Sequence, residues 1–81
     1  MLMRAYILVE AEVGKAASVV EAVRSFDLPR GTELVSADVV TGPFDVIVVT
    51  ETTDLDSLVE SVTDQIQMIG GVRRTTTCVV A

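Results

Sequence analysis

The segment of this chain with the most distinctive chemistry is Gly42-Pro43-Phe44-Asp45, which leads into its strongest strand pattern. Glycine and proline are typical of a tight turn, because glycine supplies backbone freedom and proline fixes φ. Asp45 is less expected, since aspartate is depleted in strands and the residues that follow it are strongly apolar. Its carboxylate is predicted either to pair with an arginine of this chain or of a partner, or to face a pocket and hold a cationic group.

A second segment of interest is Arg73-Arg74-Thr75-Thr76-Thr77-Cys78, near the end of the chain. Consecutive threonines are ordinary β-branched strand residues. Alternatively, the hydroxyls of Thr75 and Thr77 line one face beside the hairpin of the third strand, where they could bind a ligand. The two arginines are predicted to form salt bridges at an edge or an interface, and Cys78 is predicted to be a small buried residue.

The composition argues against several kinds of catalytic or metal site. The chain has no histidine, so no imidazole is available for a catalytic triad, a haem or a metal ion. One cysteine cannot form an intrachain disulfide or a multi-thiolate site. The spaced carboxylates Asp54 and Asp56 suit the start of a helix and need no acid–base role. We therefore expect no enzyme, no catalytic residue, no metal and no cofactor.

Charge and hydropathy limit the partners. Six basic residues against twelve acidic ones give a net charge of −6, whereas direct nucleic-acid binding relies on clustered Lys and Arg. The apolar run at residues 5–9 ends at Glu10 and is shorter than a signal-peptide core or a membrane helix of about 20 residues. We expect a cytoplasmic protein that contacts neither nucleic acid directly nor a membrane.

The elements that must position these residues form two similar halves, each strand–helix–strand. The predicted strands are residues 5–9, 34–40, 44–51 and 72–80. A first helix is predicted at residues 15–26, and a second follows an N-cap at Thr53 or Asp54 and ends at Gly70-Gly71. The predicted buried face of the second helix contains Leu55, Leu58, Val59, Val62, Ile66 and Ile69. The order β-α-β-β-α-β predicts one α+β domain over residues 1–81, a ferredoxin-like antiparallel four-stranded sheet with two helices on one face.

The first and third strands carry apolar residues on both faces, whereas a sheet with one solvent-exposed face needs them on only one. Two helices can cover only one of these faces. A second copy of the chain, packed sheet on sheet, is predicted to cover the other, so a homodimer or larger homo-oligomer is expected. The residues of the two faces are Tyr6 and Leu8 against Ile7 and Val9, and Phe44, Val46 and Val48 against Ile47 and Val49.

Residues 39–48 resemble the T-G-x-[YF]-D signature of the Lrp/AsnC feast/famine regulators, here Thr41-Gly42-Pro43-Phe44-Asp45. More narrowly, they are similar to the effector-binding domain of that family, called the RAM domain. The opening strand with its helix, and residues 71–80, also resemble that domain. The likeness covers essentially the whole chain.

The resemblance implies a dimeric α/β barrel that binds a small effector, usually an amino acid, where dimers meet. By position, Gly42 and Asp45 match the hairpin that holds the effector, and Thr75, Thr76 and Thr77 match the last strand. Most family members carry a helix-turn-helix before this domain, whereas this sequence begins at the domain. We therefore expect a stand-alone version that modulates transcription through oligomerisation or co-assembly with a full-length family member, without direct DNA binding.

Two other functions fit a chain of this size. Small dimeric ferredoxin-like barrels include monooxygenases and isomerases, but an enzyme of that kind is expected to show a histidine or a Tyr/Trp/Asn constellation. The chain has no His, Asn or Trp. The other alternative is a structural subunit without a ligand.

Overall fold

A computed structural model describes residues 1–81 and confirms the predicted element order. The strands are β1 (Met3–Ala11), β2 (Thr32–Val39), β3 (Val46–Thr52) and β4 (Val72–Val79), and α1 is Ala16–Arg24. The second helix, α2, has three consecutive parts: α-helical Leu55–Ser57, π-helical Leu58–Thr63 and α-helical Asp64–Gln67. The fold is ferredoxin-like, with both helices on one face of the sheet.

The four strands form one antiparallel sheet in the order β2-β3-β1-β4. β1 therefore lies in the interior of the sheet, where Ile7 is opposite Val48 of β3 and Thr77 of β4. The register shifts once between Glu10 and Ala11 and once between Leu34 and Ser36. Both edge strands, β2 and β4, thus contain or face an irregularity in the ladder.

The core lies between the sheet and the helices. Successive side chains of a strand point to opposite faces of the sheet, and this alternation determines which strand residues enter the core. Ile7, Val9, Val46 and Val48 are fully buried because their side chains point toward the helices. The helices contribute apolar side chains at helical spacing to the same cluster. These are Val19, Val20 and Val23 of α1 and Leu58, Val62 and Ile66 of α2.

The opposite side of the sheet is covered by no element of the chain. Its centre consists of Tyr6, Leu8, Ile47 and Val49, which are half-buried by neighbouring side chains; we call this surface the open face. The predicted two-faced apolar pattern is confirmed. Cys78 is the cross-strand partner of Tyr6 and is exposed, so the prediction that it is buried is wrong. The pairing of β4 with β1 places its thiol on the side that lacks helices.

Helix α2 begins as predicted but is not regular throughout. The carboxylate of Asp54 accepts a hydrogen bond from the backbone N–H of Ser57, which makes Asp54 the N-cap. The π-helical part has a wider turn than an α-helix, which moves the side chains around the axis. Val59 consequently lies 45% exposed, and its predicted place on the buried face is wrong. The structure contains no helix with the length and hydrophobicity needed to cross a lipid bilayer.

Candidate functional site

Asp45 lies directly before β3 and is held by three hydrogen bonds. Its backbone N–H donates to the carbonyl of Val9 at 2.9 Å, and its own carbonyl accepts from Val40 N at 2.9 Å. Its side-chain Oδ2 accepts from the backbone N–H of Ala11 at 2.8 Å. The carboxylate therefore bonds to the end of β1, and no arginine of the chain pairs with it. The β1–β3 ladder ends at the pair Val9 and Val46, so the carboxylate of Asp45 takes the place of a backbone acceptor for the Ala11 N–H.

The other carboxylate oxygen of Asp45, Oδ1, forms no hydrogen bond within the chain. The residue is half-buried, and this oxygen is not among the buried polar atoms without a partner, so it is accessible from outside. An ionised carboxylate accepts hydrogen bonds at both oxygens. Asp45 thus combines a fixed position with a free acceptor, which is the geometry needed to hold a cationic donor.

Gly42 lies at the exposed tip of the connection between β2 and β3. A Cβ built at this position would meet no atom within 4 Å, and its φ lies outside the left-handed region. The fold therefore does not require glycine here. What the glycine provides is unobstructed access to the backbone of the turn.

The three threonines of β4 do not share one face. Thr75 and Thr77 are opposite Val9 and Ile7 and point to the helix side, whereas Thr76 is opposite Leu8 and points to the open face. The hydroxyl of Thr75 accepts a hydrogen bond from Gln67 Nε2 at 2.9 Å. Thr75 and Thr77 share one face, as predicted from the sequence, but β1 lies between these residues and the β3 hairpin.

Val9 is the residue that connects the two halves of the predicted site. Its carbonyl accepts the backbone N–H of Asp45 on one side, and Thr75 is its ladder partner on the other. Asp45 and Thr75 therefore lie at the same end of the sheet, one strand apart. Neither of the two cavities in the structure contains any of the five predicted residues. Within one chain these residues form a surface, not an enclosed pocket.

No pattern in the sequence predicts the two cavities of the structure. One, of about 460 Å³, lies between the end of α1 and the side of α2, where Phe26 and Met68 face the carboxylates of Glu60 and Asp64. The other, of about 480 Å³, lies at the end of the sheet remote from the hairpin and includes Arg30. Their residues come from distant segments, so no local spacing identifies them.

Two ion pairs flank the open face. Arg74 donates to Glu10 at 2.9 Å, which confirms the predicted salt bridge for that arginine. Arg4 donates to Glu51 at 2.8 Å, and this hydrogen bond is the main cause that raises the pKa of the Arg4 guanidinium above its ordinary value. Both pairs join neighbouring strands across the sheet. They set a charged border around the apolar centre of the open face.

The protomer is thus a small ferredoxin-like α+β domain with an open apolar sheet face and an accessible carboxylate beside a hairpin. Residues 4–81 match the family model described as the Lrp/AsnC ligand binding domain. The chain belongs to this family of effector-binding domains of transcription regulators. The resemblance drawn from residues 39–48 is therefore confirmed.

Similar solved structures agree with the family assignment. A hypothetical protein, PHS023 from Pyrococcus horikoshii, is 30% identical with a TM-score of 0.79, over 100% of this chain and 90% of that one. FFRP-DM1 is 29% identical with a TM-score of 0.80, over 98% and 99% of the two chains. The transcriptional regulator NMB0573 from Neisseria meningitidis, solved as a complex with L-Met, is 23% identical with a TM-score of 0.74, over 98% of this chain and 49% of that one. No protein of curated function matches the sequence.

Proposed function

We propose that this chain is an amino-acid-binding effector domain that influences transcription through assembly and catalyses no reaction. The observation that carries the proposal is the carboxylate of Asp45, which is anchored through Oδ2 while Oδ1 remains free. The family match supports effector binding in general. The L-Met complex of NMB0573 supports an amino acid as the kind of effector.

The chemistry of an amino acid suits the hairpin. Its ammonium group is a compact cation with three donors, and a charge-assisted hydrogen bond to Asp45 Oδ1 is stronger than a neutral one. Its carboxylate needs donors in turn. Backbone N–H groups of the turn at Gly42 and the hydroxyls of Thr75, Thr76 and Thr77 can supply them. Since Thr76 lies on the face opposite to the other two threonines, one protomer cannot direct all three hydroxyls at one ligand.

A second chain would complete the site and cover the open face. Tyr6, Leu8, Ile47 and Val49 form an apolar centre without a cover, and in a small domain such a surface favours association. We propose a homodimer packed sheet on sheet as the minimum unit, with further assembly that brings hairpin and last strand of different protomers together. Effector binding between protomers would then alter the assembly.

Charge supports an indirect effect on DNA. The net charge is −6, and two of the six basic side chains, Arg4 and Arg74, are already paired with carboxylates. The remaining cations provide no continuous patch for a phosphate backbone. We propose that this effector domain acts in the cytoplasm and affects transcription through co-assembly with another member of the family.

A thermal-shift screen with each of the twenty amino acids, followed by calorimetry on those that stabilise the protein, tests this function. A ligand at free concentration c that binds only the folded state stabilises it by RT ln(1 + c/Kd), so the melting temperature rises with the logarithm of the ligand concentration once this exceeds Kd. We expect one chemically related subset of amino acids to stabilise the protein. If none does at millimolar concentration, the domain is a ligand-free structural subunit or binds another class of molecule.

A further inference from the structure

The cavity of about 480 Å³ lies at the end of the sheet opposite to the hairpin. The turn between α1 and β2 forms most of its wall, and the start of the chain and the end of β3 complete it. Its lining includes Leu2, Leu28, Pro29, Arg30, Glu33 and Thr53. The seven residues of β3 separate Thr53 of this cavity from Asp45, a distance of about 26 Å along the extended strand.

Two opposite charges line this cavity, and neither has a partner. The structure contains two ion pairs, and both are formed by other residues. Arg30 and Glu33 lie three positions apart without a hydrogen bond between them. Both residues are solvent-exposed.

The surroundings of Glu33 favour an added cation. Glu33 is directly opposite Glu51 across the β2–β3 ladder, and like charges opposite each other destabilise a sheet. Arg4 offsets the charge of Glu51, because its Nη2 and Nε donate to one carboxylate oxygen, Oε2, at 2.8 and 3.3 Å. No cation of the chain does the same for Glu33. A positively charged group bound beside Glu33 would relieve this repulsion.

We propose that this cavity is a second ligand site, which takes a small zwitterion with an aliphatic body. The cationic end of the ligand lies at Glu33, and its anionic end lies at Arg30, whose planar guanidinium suits a carboxylate. The aliphatic part packs on Leu2 and Leu28, of which Leu2 is 60% exposed in the free protein. The hydroxyl of Thr53 lies beside them; it donates to the Gly31 carbonyl at 3.5 Å and retains its capacity to accept a hydrogen bond. This site does not depend on the function proposed for Asp45.

Amide chemical shifts during titration with L-leucine test this site, with leucinamide and N-acetylleucine as probes that each lack one charge. The titrations are run at mildly acidic pH, so that both amines are protonated. We expect L-leucine to shift the amides of Leu28, Thr53 and residues 30–33 at millimolar concentration. Each one-charge analogue is expected to bind about fivefold more weakly, the effect of one exposed ion pair. Absence of shifts at these amides, or equal affinity for the three probes, overturns the proposal.

Matched variants separate this site from the hairpin site and from nonspecific charge effects. Arg30→Gln and Glu33→Gln are each expected to weaken L-leucine binding about fivefold. Arg73→Gln and Glu12→Gln, which remove exposed charges elsewhere, are expected to leave it unchanged. Asp45→Asn leaves the shifts at Leu28 and residues 30–33 in place, even if the hairpin site is lost. If Arg30→Gln and Glu33→Gln have no effect, the two side chains do not bind the ligand and the proposal is wrong.

Discussion

One side chain, Asp45, serves both the fold and the proposed ligand, and a single substitution separates the two roles. Asp45→Asn keeps an oxygen that accepts the Ala11 N–H, but it removes the charge. Loss of a charge-assisted hydrogen bond of about 1.5–3 kcal/mol lowers amino-acid affinity about ten- to a hundredfold. Calorimetry with the amino acid identified by the thermal-shift screen measures this loss.

The controls for Asp45 follow from its contacts. Asp27→Asn, an exposed carboxylate in the loop after α1, is expected to leave affinity unchanged. Asp45→Ala also deprives the Ala11 amide of its acceptor and is expected to lower the free energy of unfolding by about 1–3 kcal/mol. Unchanged affinity in a folded Asp45→Asn protein would make Asp45 a purely structural residue.

Helix α2 contains an unpaired polar atom, so we expect one substitution there to be stabilising. The hydroxyl of Thr63 is buried at the end of the π-helical part and has no hydrogen-bond partner. Thr63→Val removes this group and is expected to raise the free energy of unfolding by about 1 kcal/mol, or the melting temperature by about 4–8 °C.

Thr32→Val provides the matched comparison for Thr63→Val. The hydroxyl of Thr32 is also buried, but it is hydrogen-bonded to that of Thr52 at 2.8 Å. The same chemical change is therefore expected to destabilise the protein by about 1 kcal/mol. Urea unfolding of both variants measures the two effects, and a loss of stability in Thr63→Val would mean that its hydroxyl has a partner in solution.

The connection from α2 to β4 depends on one of two adjacent glycines. Gly71 has φ +98°, and a Cβ there would lie 2.7 Å from Cβ of Lys15, whereas a Cβ at Gly70 would meet no atom within 4 Å. Gly71→Ala is therefore expected to lower the free energy of unfolding by more than about 1 kcal/mol. Gly70→Ala is expected to change it by less than about 0.5 kcal/mol. Equal effects in denaturant unfolding would contradict this account.

The elements were predictable where local chemistry determines them. Alternation correctly placed Val46 and Val48 on one face of β3, although only the structure shows that this is the face covered by the helices. Asp54 was one of two residues predicted to begin α2, and its carboxylate is the N-cap. Strand order was not predictable in this way, because the pairing of β4 with β1 depends on contacts between distant residues. The sequence therefore predicted, wrongly, that Thr75 lies directly beside the hairpin and that Cys78 is buried. The π-helical turn that exposes Val59 likewise has no sequence pattern of its own.

At the scale of the whole molecule, the open face predicts association. Ile47 lies at its centre and points away from the monomer core, so Ile47→Glu is expected to disrupt the dimer without unfolding the protomer. Val13→Glu, at a fully exposed loop position, is the control. Light scattering is expected to give at least twice the chain mass of 8.6 kDa for the unchanged protein and for Val13→Glu. A monodisperse 8.6 kDa species at micromolar concentration of the unchanged protein would exclude the dimer.

The charge of the whole molecule predicts that the isolated chain does not bind duplex DNA. With a net charge of −6, association with a phosphate backbone is electrostatically unfavourable. Gel-shift titration at low salt, where such binding is strongest, should show no complex. A complex that dissociates as salt increases would show direct binding and refute the indirect mode of action.

The hydrogen bond from Val80 N to the carbonyl of Arg4, at 2.8 Å, has a consequence for the chain as a whole. It joins the beginning of β1 to the end of β4, so that both termini leave the sheet at the same end, on neighbouring strands. The two ends of the polypeptide therefore lie close together, and the path of the chain nearly closes on itself. A short linker from Ala81 to Met1 would leave every strand pair intact, and the ring could instead be opened at the exposed turn around Gly42. The same architecture is thus compatible with more than one order of the strands and helices along the chain. A fusion partner attached at either terminus would lie at the same end of the sheet.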